Sequence, residues 1–488
     1  MELKKLLVGL EGVKAKGDLN IDVTGITRDS REVKKGNMFV AIKGFESDGH
    51  DYLKDAIKNG ASVIVIEDIN SIKGIKDKVT IILTENNRHF LSIASSNFYG
   101  NPSKKFKLIG VTGTKGKTTT TFMIKSILEK SGKKVGLIGT IATYIGNKKI
   151  EDSDRTTPEG DKLQKIFSQM VEEGVEIVVM EVSSQSLKLN RVDGCDFDIG
   201  VFTNFSEDHI SEKEHPNMED YFNSKLKLFD MCKIGYTNAD DLYTTKLSEL
   251  KEKCDISTYG IDNYCNLLAK DITITNASVD FKVKIGTRNE RVKAYIPGRF
   301  SVYNALAAIC VSQKLGATAD NIKEALEEVR VPGRSELVNN KKDLVIMIDY
   351  AHSPESLQSI LNAVKQYTKG KVISVFGCGG DRDNRKRPLM GEISGRIADF
   401  TIITSDNPRT EVPEKIIEQI EQGIKKTKGK YTVIIDRKDA ISEAIKMAKK
   451  QDIVVLAGKG HEPYQEINGI KYPFDERGIV KEIINNMK

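Results

Sequence analysis

Gly113, Thr114, Lys115, Gly116, Lys117, Thr118 and Thr119 form a short run, Gly-Thr-Lys-Gly-Lys-Thr-Thr. Its residue types suit phosphate chemistry. Glycines let backbone N–H groups close on phosphate oxygens, Lys117 would reach the β- and γ-phosphates, and the Thr118 hydroxyl would sit on Mg²⁺. The spacing departs from GxxxxGK[ST], because position 111 is Val where that pattern has Gly. Glu181 ends an apolar run, Ile177-Val-Val-Met180. A lone carboxylate at the end of a buried strand is costly unless it meets a cation, and beside a phosphate loop Mg²⁺ is the simplest one. Lys225 lies three or four residues from Tyr221, Phe222 and Phe229. Helical spacing puts it on their apolar face, while Lys227 joins Asn223 and Asp220 on the polar one. A core-facing lysine has a lowered pKa and a more nucleophilic amine. The same pattern also fits a lysine whose stem merely crosses apolar neighbours. His209, in Asn204-Phe-Ser-Glu-Asp-His209, suits a ligand or a core histidine equally.

Late in the chain, four apolar runs end in polar residues. They lead into Asp349-Tyr-Ala-His-Ser-Pro354, Gly377-Cys-Gly-Gly-Asp-Arg-Asp383, Ser405-Asp-Asn-Pro-Arg409 and Ala457-Gly-Lys-Gly-His-Glu462. Open parallel sheets bind ligands at the carboxyl ends of their strands.

The elements that must position these residues follow from periodicity. Residues 107–112 read as a buried strand, and Phe122, Ile124, Ile127 and Leu128 recur at helical spacing up to Gly132. Further strands are expected at 134–139, 176–181 and 199–203, giving a mostly parallel sheet with helices on both faces. Before it, strands at 38–42, 62–66 and 80–83 and a helix at 52–59 suggest a smaller α/β unit, with 101–105 as linker. Residues 255–298 read as short strands with turns; 272–275, 279–285 and 292–296 alternate at period two and suggest an antiparallel appendage on the central unit. A third α/β unit follows the Val-Pro-Gly-Arg run at 331–334, with strands at 344–348, 372–376, 400–404 and 453–456. The fold class expected is α/β in three domains: 1–105, 106–333 and 334–488.

Composition sets the bounds. At 488 residues the chain is too long for one core. With 75 basic and 69 acidic residues its net charge is only +6, which argues against a nucleic-acid partner and suits small anionic substrates. Six cysteines (195, 232, 254, 265, 310, 378) form no CxxC pair, so neither a disulfide framework nor a zinc site is indicated, and a reducing cytoplasm is expected. Neither a signal peptide nor an 18-residue apolar span is present, so no membrane partner is expected.

Together these motifs resemble the Mur ligases of bacterial peptidoglycan synthesis. The resemblance covers essentially the whole chain and rests on Gly113-Thr-Lys-Gly-Lys-Thr-Thr, Met180-Glu-Val-Ser-Ser, Tyr221-Phe-x-x-Lys-Leu-Lys-Leu-Phe229, Val331-Pro-Gly-Arg, Asp349-Tyr-Ala-His-x-Pro, Gly377-Cys-Gly-Gly-Asp-Arg-Asp, Asp406-Asn-Pro-Arg and Gly458-Lys-Gly-His-Glu. It implies a central ATP-binding domain, an N-terminal UDP-binding domain and a C-terminal Rossmann-like domain that takes an amino acid. The implied reaction is ATP-dependent amide formation through an acyl phosphate. It would add a third amino acid to UDP-N-acetylmuramoyl-L-alanyl-D-glutamate, with Mg²⁺, in a bacterial cytoplasm and as a monomer. Such a ligase must bring anions together, so its work is charge neutralisation and positioning.

The resemblance also implies roles. Lys117 and Thr118 would hold phosphates and metal, with Glu181 and His209 completing the coordination. Lys225 matches the lysine that the family carries as N6-carboxylysine. Asn304, Arg334 and Asp349 match nucleotide contacts, Arg334 near the γ-phosphate. Arg28, Ser30, Phe45, Glu46 and Ser47 would form the uridine site, and Thr156, Thr157, Ser183 and Arg191 the muramoyl-peptide site. Arg387 and Arg409 would be guanidinium forks facing the incoming amino acid, with Asp406, Asn407, Pro408, Gly458 and Glu462. Guanidinium pairs bidentately with carboxylate and repels the ammonium of lysine, so meso-diaminopimelate is expected, L-lysine being the alternative. Three departures stand out. The histidines in His209-Ile-Ser-Glu-Lys-Glu-His215 are spaced wider than in the family, which carries His209 over and leaves His215 unassigned. A family glutamine near Leu189 is absent, and Ser301 replaces an Asn. Folylpolyglutamate synthetases are a related alternative, though they lack an N-terminal uridine-type domain. A phosphate-loop ATPase driving a partner protein is a further one.

Overall fold

The computed structural model describes residues 1–45, 47–75, 79–208, 210–211, 214–247, 254–338 and 344–487. Glu46 and His209 lie outside the described residues. The protein is α/β, with three large sheets in sequence. The first has five strands in the order Lys14–Lys16, Thr80–Leu83, Val63–Ile66, Met38–Val40, Ile26–Thr27, all parallel but the first. Val63–Ile66 is buried at all four positions, as an unalternating β-branched run should be in a sheet covered on both faces.

The central sheet has nine strands. At its middle, Lys107–Thr112 lies between Ile177–Glu181 and Phe197–Phe202, all parallel. Glu181 pairs in register with Val111, and Phe202 with Thr112. The phosphate loop and Glu181 therefore leave adjacent strands at the same carboxyl end. Two strands, Ala142–Ile145 and Lys148–Asp152, add an antiparallel edge. The start of the expected appendage belongs elsewhere. Asp255–Gly260 and Leu267–Leu268 extend the central sheet in parallel, with Tyr259 fully buried and its hydroxyl donating to the Phe202 carbonyl at 3.2 Å. Asp255–Gly260 is buried only at its last two residues and does not alternate. The separate antiparallel sheet is Lys270–Ile274, Val279–Ile285 and Arg288–Ala294.

The third large sheet has six strands, ordered Glu336–Leu337, Val345–Asp349, Ile453–Ala457, Val372–Phe376, Phe400–Ile403, Tyr431–Val433 and parallel beyond the first. Apolar clusters cover both its faces.

By contacts the chain forms two compact units. One is Met1–Leu268 with Leu306–Thr318; the other is Ala269–Ala305 with Ala319–Lys488, so the antiparallel sheet clusters with the C-terminal segment. Within the first unit, helix Asn87–Phe98 packs closely on helix Gly160–Glu172: a Cβ on Gly160 would come within 2.9 Å of the Ser92 backbone, and one on Gly194 within 2.4 Å of the Ser92 carbonyl. Among the described residues, no helix is long and apolar enough to cross a membrane.

Candidate active site

Strand Lys107–Thr112 and helix Lys117–Lys130 frame the phosphate loop. Gly113 has φ +138°, and a Cβ there would meet Thr203 Oγ1 at 2.0 Å, so no other residue fits. The segment after Phe202 braces the loop. Thr114 N–H donates to the Asn204 carbonyl at 2.9 Å, Lys115 N–H to Asn204 Oδ1 at 2.9 Å, and Thr203 Oγ1 to the Lys115 carbonyl at 2.6 Å. Lys115 Nζ pairs with Asp208 at 2.8 Å. Lys117 Nζ folds back to donate to the carbonyls of Gly113 (2.8 Å) and Thr114 (3.0 Å).

Glu181 is buried beside this loop. Thr118 Oγ1 donates to its Oε2 at 3.0 Å, as does Thr140 Oγ1, and Thr140 N–H donates to Oε1 at 2.8 Å. Thr156 Oγ1 lies 3.1 Å from Thr140 Oγ1. Thr157 Oγ1 donates to the Glu181 carbonyl at 2.9 Å and accepts from Ser183 N–H at 3.1 Å. Thr118 and Glu181 of the expected metal set and Thr156, Thr157 and Ser183 of the expected muramoyl-peptide set thus form one hydroxyl-rich cluster.

Lys225, on helix Met218–Asp230, is 1% exposed. Its Nζ donates to the Gly113 carbonyl at 2.8 Å and stands 4.5 Å from the centre of the Tyr221 ring. Burial holds its pKa well below the usual lysine value, and the neighbouring Lys117 pushes the same way. Among the described residues no carboxylate pairs with it. His215 is saturated instead: Asp220 Oδ2 lies 2.6 Å from one ring nitrogen and Ser184 Oγ 2.9 Å from the other.

A cavity of about 740 Å³ opens in the same unit. It is lined by Arg28, Ser30, Phe45 and Ser47 of the expected uridine site and by Arg191 of the expected peptide site. Arg88, Arg155 and Glu159, which carry no sequence motif of their own, line it too.

In the second unit, Asp406, Asn407, Arg409, Gly458 and Glu462 converge. Asn407 Nδ2 donates to Glu462 Oε2 at 2.8 Å, and its Oδ1 accepts from Lys459 Nζ at 2.9 Å and Glu466 N–H at 3.0 Å. A Cβ on Gly458 would meet Asp406 Oδ2 at 2.5 Å, and one on Gly380 would meet the Pro408 carbonyl at 1.9 Å. Burial raises the pKa of Glu462. Arg409 Nη1 donates to the Gly380 carbonyl at 2.7 Å, with Nε 3.2 Å from Glu466. Arg387 does not stand open. It is 1% exposed, its fork closes on both oxygens of Glu411 at 2.8 and 2.9 Å, and Gln419 takes a third bond. Arg334 and Asp349 come together around Ser335 and Tyr350. Ser335 N–H donates to Asp349 Oδ2 at 2.7 Å, and the Arg334 guanidinium covers the Tyr350 ring at 5.0 Å. Asn304 is buried on helix Arg299–Lys314.

Sequence profiles of the Mur ligase middle domain match residues 111–312, of the Mur ligase glutamate ligase domain 333–460, and of the Mur ligase family catalytic domain 22–99. The chain is a Mur ligase. It is 51% identical over 479 residues, 97% of its own length and 98% of the relative's, to the UDP-N-acetylmuramoyl-L-alanyl-D-glutamate–2,6-diaminopimelate ligase of Caldanaerobacter subterraneus subsp. tengcongensis. A solved ligase of that same description shares 28% identity and a TM-score of 0.72, with 99% of each chain covered. The Thermotoga maritima MurF ligase in complex with ADP has the same fold, with a TM-score of 0.63 at 21% identity over 94% of this chain and 96% of that one.

In this Mur ligase, sequence reasoning missed residues whose partners are mostly distant in the chain. Arg88 and Glu159, with Arg155 four residues before Glu159, are one group. Lys459 is another, wholly buried inside the Gly-Lys-Gly-His-Glu motif. Arg437, fully buried, with Nε 2.8 Å from Glu476 and Nη1 4.0 Å from Asp406, is a third. For Lys459 a signal was available: it lies between two glycines at a strand end. For the others there was none beyond charge.

Proposed function

We propose that this Mur ligase joins meso-diaminopimelate to UDP-N-acetylmuramoyl-L-alanyl-D-glutamate at the expense of ATP, through an acyl phosphate. The observation that carries this reading is the meeting of two lysine amino groups, Lys117 and Lys225, on the Gly113 carbonyl beside the Thr118–Glu181 pair. Lys117 swings from the loop carbonyls to the β/γ-phosphates of ATP. The loop N–H groups and the N-terminus of helix Lys117–Lys130 steady the same phosphates. Arg334 neutralises charge near the γ-phosphate, with Asn304 and Asp349 at the nucleotide. The substrate carboxylate attacks the γ-phosphorus and ADP leaves. The amine of the amino acid then attacks the acyl carbon, phosphate leaves, and an amide remains. Most of the catalysis is positioning and charge neutralisation.

Magnesium fits the donor set. Thr118 Oγ1 and Glu181 Oε2 are hard oxygens 3.0 Å apart, and magnesium at a phosphate needs only one or two protein carboxylates beside its waters. The ion supplies charge neutralisation on the phosphates. His209, the third ligand of this reading, lies outside the described residues. Lys225, its pKa lowered by burial, takes up CO₂ and serves as N6-carboxylysine. Residues 1–105 bind uridine through Arg28, Ser30, Phe45, Glu46 and Ser47; 106–333 hold ATP and, through Thr156, Thr157, Ser183 and Arg191, the peptide; 334–488 hold the amino acid. There Arg409, Asn407, Gly458 and Glu462 meet its head group, with Asp406 and Pro408 shaping the loop. Arg387 supports that loop through Glu411. The enzyme acts on small molecules as a monomer.

A phosphate-release assay tests this. Turnover should require both the UDP-muramoyl dipeptide and meso-diaminopimelate, with L-lysine a poor substitute. Comparable kcat/KM for L-lysine would overturn the choice of amino acid. Robust ATP turnover with neither substrate would overturn the ligase reading.

A further inference from the structure

Glu159 collects three arginines from three separate segments. Arg88 Nη1, on helix Asn87–Phe98, lies 2.9 Å from Oε2; Arg155 Nη1 lies 2.8 Å from Oε1; Arg191 Nε, after helix Ser184–Lys188, lies 2.9 Å from Oε1. All four side chains line the 740 Å³ cavity, and Glu159 is itself 5% exposed. Glu159 and the more exposed Asp154, 3.5 Å from Arg155, leave two carboxylates for three guanidinium groups. Among the described residues of the lining, six cations (Arg28, Arg31, Lys58, Arg88, Arg155, Arg191) face three carboxylates (Asp29, Asp55, Glu159); Asp29 pairs with Arg31 at 2.6 Å, and Arg28 pairs with Asp161 at 3.3 Å. A hub built only to tie segments together needs no surplus of cations beside open space. The surplus calls for an anion. Without Glu159 the three guanidinium groups would repel one another and spread apart. Arg191 already feels this: burial, helped by Arg155, Arg88 and Arg28, brings its pKa down to about 10 against the pull of Glu159.

We propose that Glu159 is a positioning residue: it gathers Arg88, Arg155 and Arg191 on one wall of the cavity, where they bind the anionic groups of the sugar-nucleotide peptide substrate. This rests on the reading that UDP-N-acetylmuramoyl-L-alanyl-D-glutamate occupies the cavity, and it adds Arg88 and Arg155 to the binding residues and Glu159 behind them. The carboxylate acts as a built-in counterion. It takes one donor each from Arg88 and Arg155 and stands 2.9 Å from Arg191 Nε, so the forks are pre-oriented before substrate arrives.

The test is steady-state kinetics on full-length Glu159→Gln, with isothermal titration of the UDP-muramoyl dipeptide. KM for that substrate should rise about tenfold, as for loss of a charged hydrogen-bond partner, while kcat and the KM values for ATP and the amino acid stay within about threefold. Arg155→Gln, at a half-exposed residue whose change spares the core, should raise the same KM by about fivefold. Unchanged KM in both variants, with at most a lowered melting temperature in Glu159→Gln, would reduce the cluster to a structural brace and overturn the proposal. If Glu159→Gln does not fold, Arg155→Gln decides alone. Absence of substrate binding and turnover in the wild type is a different failure: it removes the proposed function, and this inference with it.

Discussion

Lys225 and Lys459 are both buried, 1% and 0% exposed, one at the phosphate loop and one at the strand ends of the C-terminal sheet. Burial lowers the pKa of both, as the cost of desolvating an ammonium requires. Their neighbours differ. Lys459 has the Asn407 side-chain oxygen at 2.9 Å and Glu462 at 3.6 Å; Asp406 and Glu476 add negative field and Arg437 opposes it. Lys225 has a backbone carbonyl and an aromatic face; Lys117 and Lys115 oppose its charge and Asp208 favours it. The same side chain at the same depth therefore has a carboxylate within 4 Å in one region and, among the described residues, none in the other. A close carboxylate favours the charged form of a buried lysine; its absence favours the neutral amine.

The strongest way to break this contrast is Lys225→Ala. It should cost about 10³-fold in kcat, the scale of removing a group aimed at transition-state charge, and short-chain carboxylates should restore part of it. Little loss and no rescue would make Lys225 another packing lysine. Next in size, Lys459→Met should raise KM for the amino acid about tenfold by releasing Asn407 and Glu462, with KM for ATP unchanged. A collapse of kcat like that of Lys225→Ala would erase the distinction.

The smallest effect is the most direct test of the charge argument. In CO₂-stripped buffer at pH 7, Lys225→Met should be more stable than wild type by about 1 kcal/mol, the exchange of function for stability expected at a strained active site. The sign follows from proton counts. Between the depressed pKa of folded Lys225 and its ordinary 10.5, the unfolded chain binds a proton that the folded chain does not. Wild-type stability therefore rises with pH across that window, and the variant lacks this rise. Its advantage in denaturant unfolding should shrink as pH increases. An advantage independent of pH would place the effect in packing rather than charge.

What the sequence could reveal follows the same division. The phosphate loop, Glu181 and Lys225 were readable because each is announced locally, by a strand end, a glycine pair or a helical face. The parallel sheets were readable for the same reason, with strands 80–83 and 372–376 found at their bounds. Arg387 was expected to face substrate because its motif says only that an arginine is there. That Glu411 closes on its fork is decided by the packing of helix Lys386–Ile397 against its neighbours. Arg155 lies four residues before Glu159, but Arg88 and Arg191 come from segments more than a hundred residues apart, and no spacing rule links them to it. Charged groups are legible when their partner is a ligand common to the motif, and illegible when it is another side chain brought in by the fold.

The Gly113 carbonyl oxygen accepts from two lysine amino groups at once, each at 2.8 Å. Its electron density therefore depends on how many lysines hold it. A ¹³C label on this one carbonyl would be a spectroscopic gauge: its resonance and stretching frequency should step once when nucleotide draws Lys117 away, and again when the Lys225 amine becomes a carbamate with a single N–H. A single atom would thus record the order in which the two lysines commit.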